Sequence, residues 1–321
     1  MTSSGPSSGA LALLIRGGTD NWSTDRWKTR FATACPGRTI VQVPEDSFDP
    51  ARVAYAAVWK PRPGDLAGFP NLKVIFNLGA GVDAVLADAQ MPDVPLVRVA
   101  VDDLTQRMTE YIVMHVLMHH RQQSYLATCQ QHKQWKPTQQ WAAGAVRVGL
   151  LGLGVLGRDA AEVLARLGFR VAGWSNTAKT IPGIACHAGA SGLHAFLART
   201  DILVCLLPLT SETRGVLARR VFDVLPEGAA LVNAARGAHL VEADLLAALE
   251  SGRLSAAILD VCEPDPLPPG HPFWDHPKIW LTPHVASATQ AVTAGEALLD
   301  NLRRYEAGLP LEGLVDRSRG Y

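Results

Sequence analysis

The residues best suited to chemistry lie in the second half of the chain. Gly152-Leu153-Gly154-Val155-Leu156-Gly157 follows an apolar run at 146–151 and opens a stretch of helical character that runs to residue 167. In a strand–turn–helix setting, the first glycine of such a motif permits a tight turn, the second lets a pyrophosphate approach the backbone, and the third lets helix and strand pack closely. Free N–H groups and the helix dipole then meet the anion. Further on, three groups each follow an apolar run: Arg236 in Asn233-Ala234-Ala235-Arg236-Gly237, Asp265 in the segment 260–268, and His284 in Thr282-Pro283-His284. Arg236 can hold a carboxylate through two parallel hydrogen bonds and polarise the carbonyl beside it. His284 can give that carbonyl oxygen a proton as hydride arrives at carbon, and take it back in the reverse direction. Asp265 can hydrogen-bond the second ring nitrogen of the histidine, fix its tautomer and favour the imidazolium. Singly, each has a plainer reading: a loop charge, a turn acid beside prolines, a buried histidine. Together they suit the interconversion of small 2-keto and 2-hydroxy acids.

Cofactor preference is read one strand later. Units that bind NAD end their second strand with an acid for the ribose 2′-hydroxyl. Here the strand ends Gly173-Trp174-Ser175-Asn176-Thr177-Ala178-Lys179, without one. Ser175, Asn176 and Thr177 can donate hydrogen bonds to a 2′-phosphate and Lys179 can supply charge. NADP(H) is therefore the expected cofactor, with NAD(H) the alternative if these residues form only a solvated turn.

The elements that position these groups are legible as a rhythm. Apolar runs at 11–15, 39–43, 55–59, 73–77 and 96–99 alternate with helical or loop segments, which suggests a parallel sheet. Asp102 and Asp103 are expected N-caps for a long helix over 104–123, suited to carry the chain between domains. Six further runs, at 146–151, 169–174, 202–206, 230–233, 256–260 and 279–281, predict a doubly wound sheet. A last helix over 289–306 leaves too little chain for a third domain and is expected to pack back on the first. The predicted organisation is a discontinuous substrate domain, 1–102 and 288–321, with a dinucleotide-binding domain inserted at 103–287.

Bulk properties limit the alternatives. The 321 residues, 48% of them hydrophobic, suffice for two domains of ordinary size. Lys plus Arg and Asp plus Glu both number 30, so no global field draws the protein to nucleic acid or an anionic membrane. Residues 1–10, rich in Ser, Gly and Pro, read as a flexible leader rather than a signal peptide, and no apolar run is long enough to span a bilayer. The five cysteines are scattered and odd in number, which points to a reducing, cytoplasmic setting and away from structural zinc. His115 and His119 stand i,i+4 on the long helix, yet no Glu or Cys completes a metal site, so no metal is expected.

With the glycine motif, the run Leu206-Leu207-Pro208-Leu209-Thr210 with Thr213, the Arg236-Gly237 pair, Leu259-Asp260-Val261 through Pro264-Asp265-Pro266-Leu267-Pro268, and Thr282-Pro283-His284, the chain resembles the D-isomer-specific 2-hydroxyacid dehydrogenase family. Asn77-Leu78-Gly79-Ala80-Gly81-Val82-Asp83, Trp135-Lys136-Pro137 and the terminal stretch 315–321 are similar to its glyoxylate/hydroxypyruvate reductase A branch. The resemblance implies an α/β fold of two Rossmann-like domains, a flavodoxin-like discontinuous substrate domain and a doubly wound NAD(P)-binding domain. It implies His284 as acid/base and Arg236 on the substrate carboxylate. The acid is Glu in most of the family; the matching Asp265 is one methylene shorter, so the pair requires a backbone shift or a bridging water. Glu263 is the alternative partner. The resemblance further places Gly152, Gly154, Val155, Leu156, Gly157, Leu207, Pro208, Thr213, Ala234, Asp260 and His284 around the cofactor. It places the backbone N–H groups of Leu78, Gly79, Ala80 and Gly81 on the substrate carboxylate, and it implies a homodimer with Trp135 reaching toward the partner.

Trp59, ending a strand of the first domain, is a candidate wall that restricts the substrate to glyoxylate, hydroxypyruvate or pyruvate, or else a core aromatic. Lys60 and Arg62 leave open a phosphorylated or dicarboxylic substrate. A nicotinamide-sensing binding protein would not need Arg236, Asp265 and His284 together, and a formate dehydrogenase pattern carries Gln where this chain has Asp265.

Overall fold

The computed structural model describes residues 9–16 and 23–321. The expected leader, 1–10, falls mostly outside the described residues, and its last residue, Ala10, instead begins the first strand. The chain forms two compact units, Met1–Leu104 with Thr289–Tyr321, and Thr105–Ala288.

The first unit holds β1 (Ala10–Ile15), β2 (Ile40–Gln42), β3 (Val53–Trp59), β4 (Val74–Asn77) and β5 (Leu96–Arg98), all parallel in the order β2-β1-β3-β4-β5. This is the flavodoxin-like order, in which the chain reverses direction of travel between β1 and β3. Strands covered on both faces read as continuous apolar runs, as Leu11, Ala12, Leu13 and Leu14 do. In chain order the α-helices of the two units are α1 (Thr24–Ala34), α2 (Asp83–Leu86), α3 (Asp102–His120), α4 (Gln123–Gln131), α5 (Val155–Arg166), α6 (Gly189–Leu197), α7 (Arg219–Phe222), α8 (Glu242–Glu250) and α9 (Ala291–Glu306), and α1 and α9 pack together in the first unit. Trp27 and Phe31, one helical turn apart, stack 5.5 Å between ring centroids. A Cβ on Gly295 of α9 would come 2.7 Å from Arg30 Nε, so the arginine side chain of α1 lies directly over this glycine.

The second unit holds seven parallel strands: β6 (Arg147–Leu151), β7 (Arg170–Ser175), β8 (Ala185–Ala188), β9 (Ile202–Cys205), β10 (Ala229–Asn233), β11 (Leu254–Leu259) and β12 (Ile279–Leu281). Their order, β12-β11-β10-β9-β6-β7-β8, is doubly wound. The unexpected strand is β8. Its sequence Ala-Cys-His-Ala has no apolar pattern because, as an edge strand, it is only partly buried.

The long helix differs from expectation at both ends. α3 spans Asp102–His120, so Asp102 and Asp103 occupy its first turn rather than capping it, where their charge still favours the positive end of the helix dipole. Gln122 then adopts a left-handed conformation, and a separate α4 runs Gln123–Gln131.

α3 also buries a histidine. His115 is 4% exposed, its ring lies 4.2 Å from that of Tyr111, and neither ring nitrogen has a hydrogen-bond partner. Burial holds its pKa below the usual 6.5, opposed by the Asp260 charge. Burial lowers His119 and His120 as well. With a depressed folded-state value, the unfolded chain takes up the proton first as pH falls. Stability present above the ordinary histidine pKa is therefore lost on acidification. His115→Leu should flatten the fall in Tm between about pH 6.5 and 5. A fall as steep as in the unaltered protein would assign the acid sensitivity elsewhere.

Candidate active site

Strand register collects the motifs. Leu151 faces Cys205, Cys205 faces Asn233, Asn233 faces Leu259, and Leu259 faces Leu281. The residues that follow each strand, Gly152, Leu206, Ala234, Asp260 and Thr282, therefore leave the sheet along one rim. At the C-terminal ends of parallel strands, this rim is where open α/β sheets bind ligands.

At its centre is the glycine turn. Gly152 has φ +104°, and a Cβ there would lie 2.7 Å from the Leu206 carbonyl oxygen. A Cβ on Gly157 would lie 1.9 Å from the Gly152 oxygen, so glycine alone lets α5 (Val155–Arg166) pack on the turn. Gly154 is different. Its φ is −72° and nothing lies within 4 Å of its Cβ position, so neither backbone nor packing requires glycine there. The open space, the absence of an acid or a side-chain cap in the first turn of α5, and the 68% exposure of Val155 fit a pyrophosphate seated on the helix N-terminus. Leu156 instead packs partly into the core.

Beyond β7, Asn176, Thr177 and Lys179 are exposed, and no acid accompanies them. Ser175 departs from expectation: it is buried and its hydroxyl donates to the Thr177 carbonyl at 2.8 Å, so its hydrogen shapes the turn. In the loop after β9, Leu207 is buried, and the Thr213 hydroxyl donates to the Pro208 carbonyl at 2.6 Å while accepting from Thr210 N–H at 2.8 Å.

The Arg236 turn is built by a residue that the sequence did not single out. Asn233, fully buried at the end of β10, donates to the Arg236 carbonyl at 3.0 Å and accepts from Ala235 N–H at 3.2 Å. Ala234 is buried beneath, and Arg236 is half-buried, one guanidinium nitrogen donating to the Ala235 carbonyl at 2.7 Å. Gly237 sits where a Cβ would be 2.1 Å from the Cys262 carbonyl carbon, which sets the Arg236 turn directly against the loop leading to Asp265.

His284 Nδ1 lies 2.8 Å from Asp265 Oδ2. The contact is direct, so the shorter acid needs no bridging water. Glu263 faces elsewhere, its carboxylate 3.4 Å from Arg214 with both side chains well exposed. His284 adopts φ +56°, uncommon outside glycine. Its N–H donates to the Asp260 and Thr282 carbonyls at 2.9 and 3.0 Å. The Asp260 side chain, in a residue only 2% exposed, accepts from Thr282 Oγ1 at 2.6 Å and from Val285 and Ala286 N–H, both at 2.9 Å. Asp260 thus orders the loop that carries the histidine, a role that the sequence reading did not assign.

In the first unit, a Cβ on Gly79 would lie 2.3 Å from Trp59 Cζ3, so the indole rests on the 78–81 loop instead of in the core. Asn77 Nδ2 donates to the Gly79 and Gly81 carbonyls at 2.7 and 3.0 Å. The Leu78 N–H donates to the Val58 carbonyl at 2.9 Å and so is taken up by the sheet, which removes it from the expected carboxylate-binding set.

A flavodoxin-like unit and a doubly wound unit, the second with a phosphate turn, an arginine and an Asp–His pair on one rim, define a dinucleotide-binding protein equipped for acid–base chemistry. The chain belongs to the D-isomer specific 2-hydroxyacid dehydrogenase family, whose NAD binding domain matches residues 113–286. It is 41% identical over 302 residues to a glyoxylate/hydroxypyruvate reductase A of Yersinia enterocolitica, covering 92% of this chain and 96% of that one. A D-isomer specific 2-hydroxyacid dehydrogenase from Xanthobacter autotrophicus Py2, solved with NADPH and MES, superposes with TM-score 0.91 at 42% identity, covering 98% of this chain and 100% of that one. An NADPH-dependent glyoxylate/hydroxypyruvate reductase from Sinorhizobium meliloti, solved with NADP and sulfate, gives TM-score 0.91 at 39% identity, with the same coverage.

Proposed function

We propose that the protein reduces small 2-keto acids, glyoxylate and hydroxypyruvate, to 2-hydroxy acids with NADPH. The observation that carries this reading is the direct 2.8 Å contact of His284 with Asp265 on the strand-end rim that also bears Arg236 and the glycine turn. The similarity to reductases of that substrate class supports it. When bound, the nicotinamide supplies the hydride. The N–H groups of Gly154, Val155, Leu156 and Gly157 hold the pyrophosphate, with Gly152 making the turn. Asn176, Thr177 and Lys179 hold the 2′-phosphate, and Leu207, Pro208, the Thr213-pinned loop, Ala234 and Asp260 frame the nicotinamide end.

Arg236 binds the substrate carboxylate through paired N–H groups and orients the adjacent carbonyl. Asp265 holds His284 Nδ1, which leaves Nε2 to deliver the proton to the carbonyl oxygen. In the first unit, Gly79, Ala80 and Gly81 are carboxylate-binding residues and Trp59 is a limit on substrate bulk. Asp65 accepts from the Arg16 side chain and from the Arg62 backbone N–H, both at 2.9 Å, so a carboxylate is hydrogen-bonded in the segment that a phosphorylated substrate would need to be cationic. The protein works as a homodimer through a surface that includes Trp135, fully exposed at 100%, and the exposed Trp141. Its five free cysteines suit the reducing cytoplasm. Among the described residues, no helix is long and apolar enough to cross a membrane.

Binding of NADPH and NADH, followed by tryptophan fluorescence, tests the cofactor assignment. NADPH should bind at least about tenfold more tightly, and Lys179→Ala should weaken NADPH alone by about fivefold. Preference for NADH would overturn the Asn176, Thr177 and Lys179 assignment, and binding of neither would remove the reading.

A further inference from the structure

We infer that Tyr111 and Thr282 are positioning residues for His284, acting through the Asp260 side chain to hold the histidine in its left-handed backbone conformation. The inference rests on the reading of His284 as the proton donor. Its basis is a hydrogen-bond chain that runs from α3 to the histidine loop. The Tyr111 and Thr282 hydroxyls lie 2.7 Å apart, and Thr282 donates to Asp260 Oδ1 at 2.6 Å. A threonine hydroxyl has one hydrogen, so with that hydrogen on Asp260 the Tyr111 hydroxyl must be the donor to Thr282. The direction is therefore fixed: Tyr111 to Thr282 to Asp260.

Asp260 is where the chain meets the histidine. Its Oδ1 receives Thr282 and the Val285 N–H, its Oδ2 receives the Ala286 N–H, and its own carbonyl receives the His284 N–H. The residues on both sides of His284 are thus tied to one side chain. A non-glycine residue at φ +56° persists only where its surroundings over-determine it, and these bonds are that surrounding. Tyr111 and Asp260 are buried and Thr282 between them is half-buried, and the Tyr111 ring packs against His115 on the same helix. Removing the Thr282 hydroxyl leaves Oδ1 with one donor and the buried Tyr111 hydroxyl without its acceptor, so the turn relaxes and the imidazole moves. Side-chain displacements of about 1 Å in an active site can cost up to about a hundredfold in rate.

Steady-state reduction of glyoxylate by Thr282→Val, Thr282→Ser, Tyr111→Phe, the Thr282→Val/Tyr111→Phe double variant and His284→Asn, with dinucleotide affinity measured in parallel, tests this. Thr282→Val should lower kcat about tenfold with dinucleotide affinity within about twofold, Thr282→Ser should restore most of the rate, and Tyr111→Phe should lower kcat about threefold. Because the two hydroxyls act in series, the double variant should be no slower than Thr282→Val alone. An unimpaired Thr282→Val, equal losses for Val and Ser, or losses that multiply in the double variant would overturn the inference. If His284→Asn is inactive while Thr282→Val is unimpaired, the positioning role alone fails; if His284→Asn stays active, the reading of His284 fails and this inference with it.

Discussion

His284→Asn should lower kcat for keto-acid reduction by about a thousandfold, within the range that a positioned acid–base group contributes. Asparagine is the informative replacement because it tolerates the left-handed backbone that His284 adopts, so the turn fixed by Asp260 survives. The variant has no imidazole to give up a proton, and Asp265 loses its ring-nitrogen partner at 2.8 Å. Dinucleotide affinity should stay within about twofold, since the glycine turn lies on different strands. Oxidation of the 2-hydroxy acid should fall in the same proportion, because the group that delivers the proton forward removes it in reverse. Retention of more than about a tenth of the rate in either direction would show that another group or water moves the proton.

Arg236→Lys should lower kcat/KM for glyoxylate by about a hundredfold or more, although the charge is kept. A guanidinium presents two parallel N–H groups to a carboxylate; an ammonium acts as a single point charge and loses the planar hold that orients the carbonyl. The backbone should not move. Arg236 is extended, the Asn233 side chain holds its carbonyl, and the guanidinium bond to the Ala235 carbonyl is one that a lysine ammonium can also make. The effect should therefore appear in the kinetics with little change in Tm. A loss below about threefold would mean that the substrate carboxylate is held elsewhere, with the 79–81 loop the first place to look.

Much of this was legible in the sequence, for identifiable reasons. The strands of both sheets are covered on both faces, so they read as apolar runs, and β8 escaped because an edge strand need not be apolar. The glycine turn was legible because steric demands leave glycine as the residue at Gly152 and Gly157, while the open space at Gly154 is what a ligand approaching the backbone needs. The candidate trio Arg236, Asp265 and His284 could be named, but its geometry could not: the choice of Asp265 over Glu263 as the partner of His284 depends on where each side chain points, and Glu263 points to Arg214. Hidden most completely were the groups that act through others. Asn233, Thr282 and Tyr111 carry no charge and match no motif chemistry, and their roles arise only when strand register and α3 bring them to Arg236 and Asp260. Leu78 misled for the converse reason, since the loop motif looks open in sequence while its first N–H completes the sheet with Val58.

The most direct test is the rate of NADPH oxidation, followed at about 340 nm where the reduced nicotinamide absorbs, with glyoxylate, hydroxypyruvate and pyruvate each offered as substrate. Turnover of glyoxylate and hydroxypyruvate, faster with NADPH than with NADH, is the predicted result. No turnover of any of the three with either nucleotide, from protein that binds the nucleotide, would contradict the account.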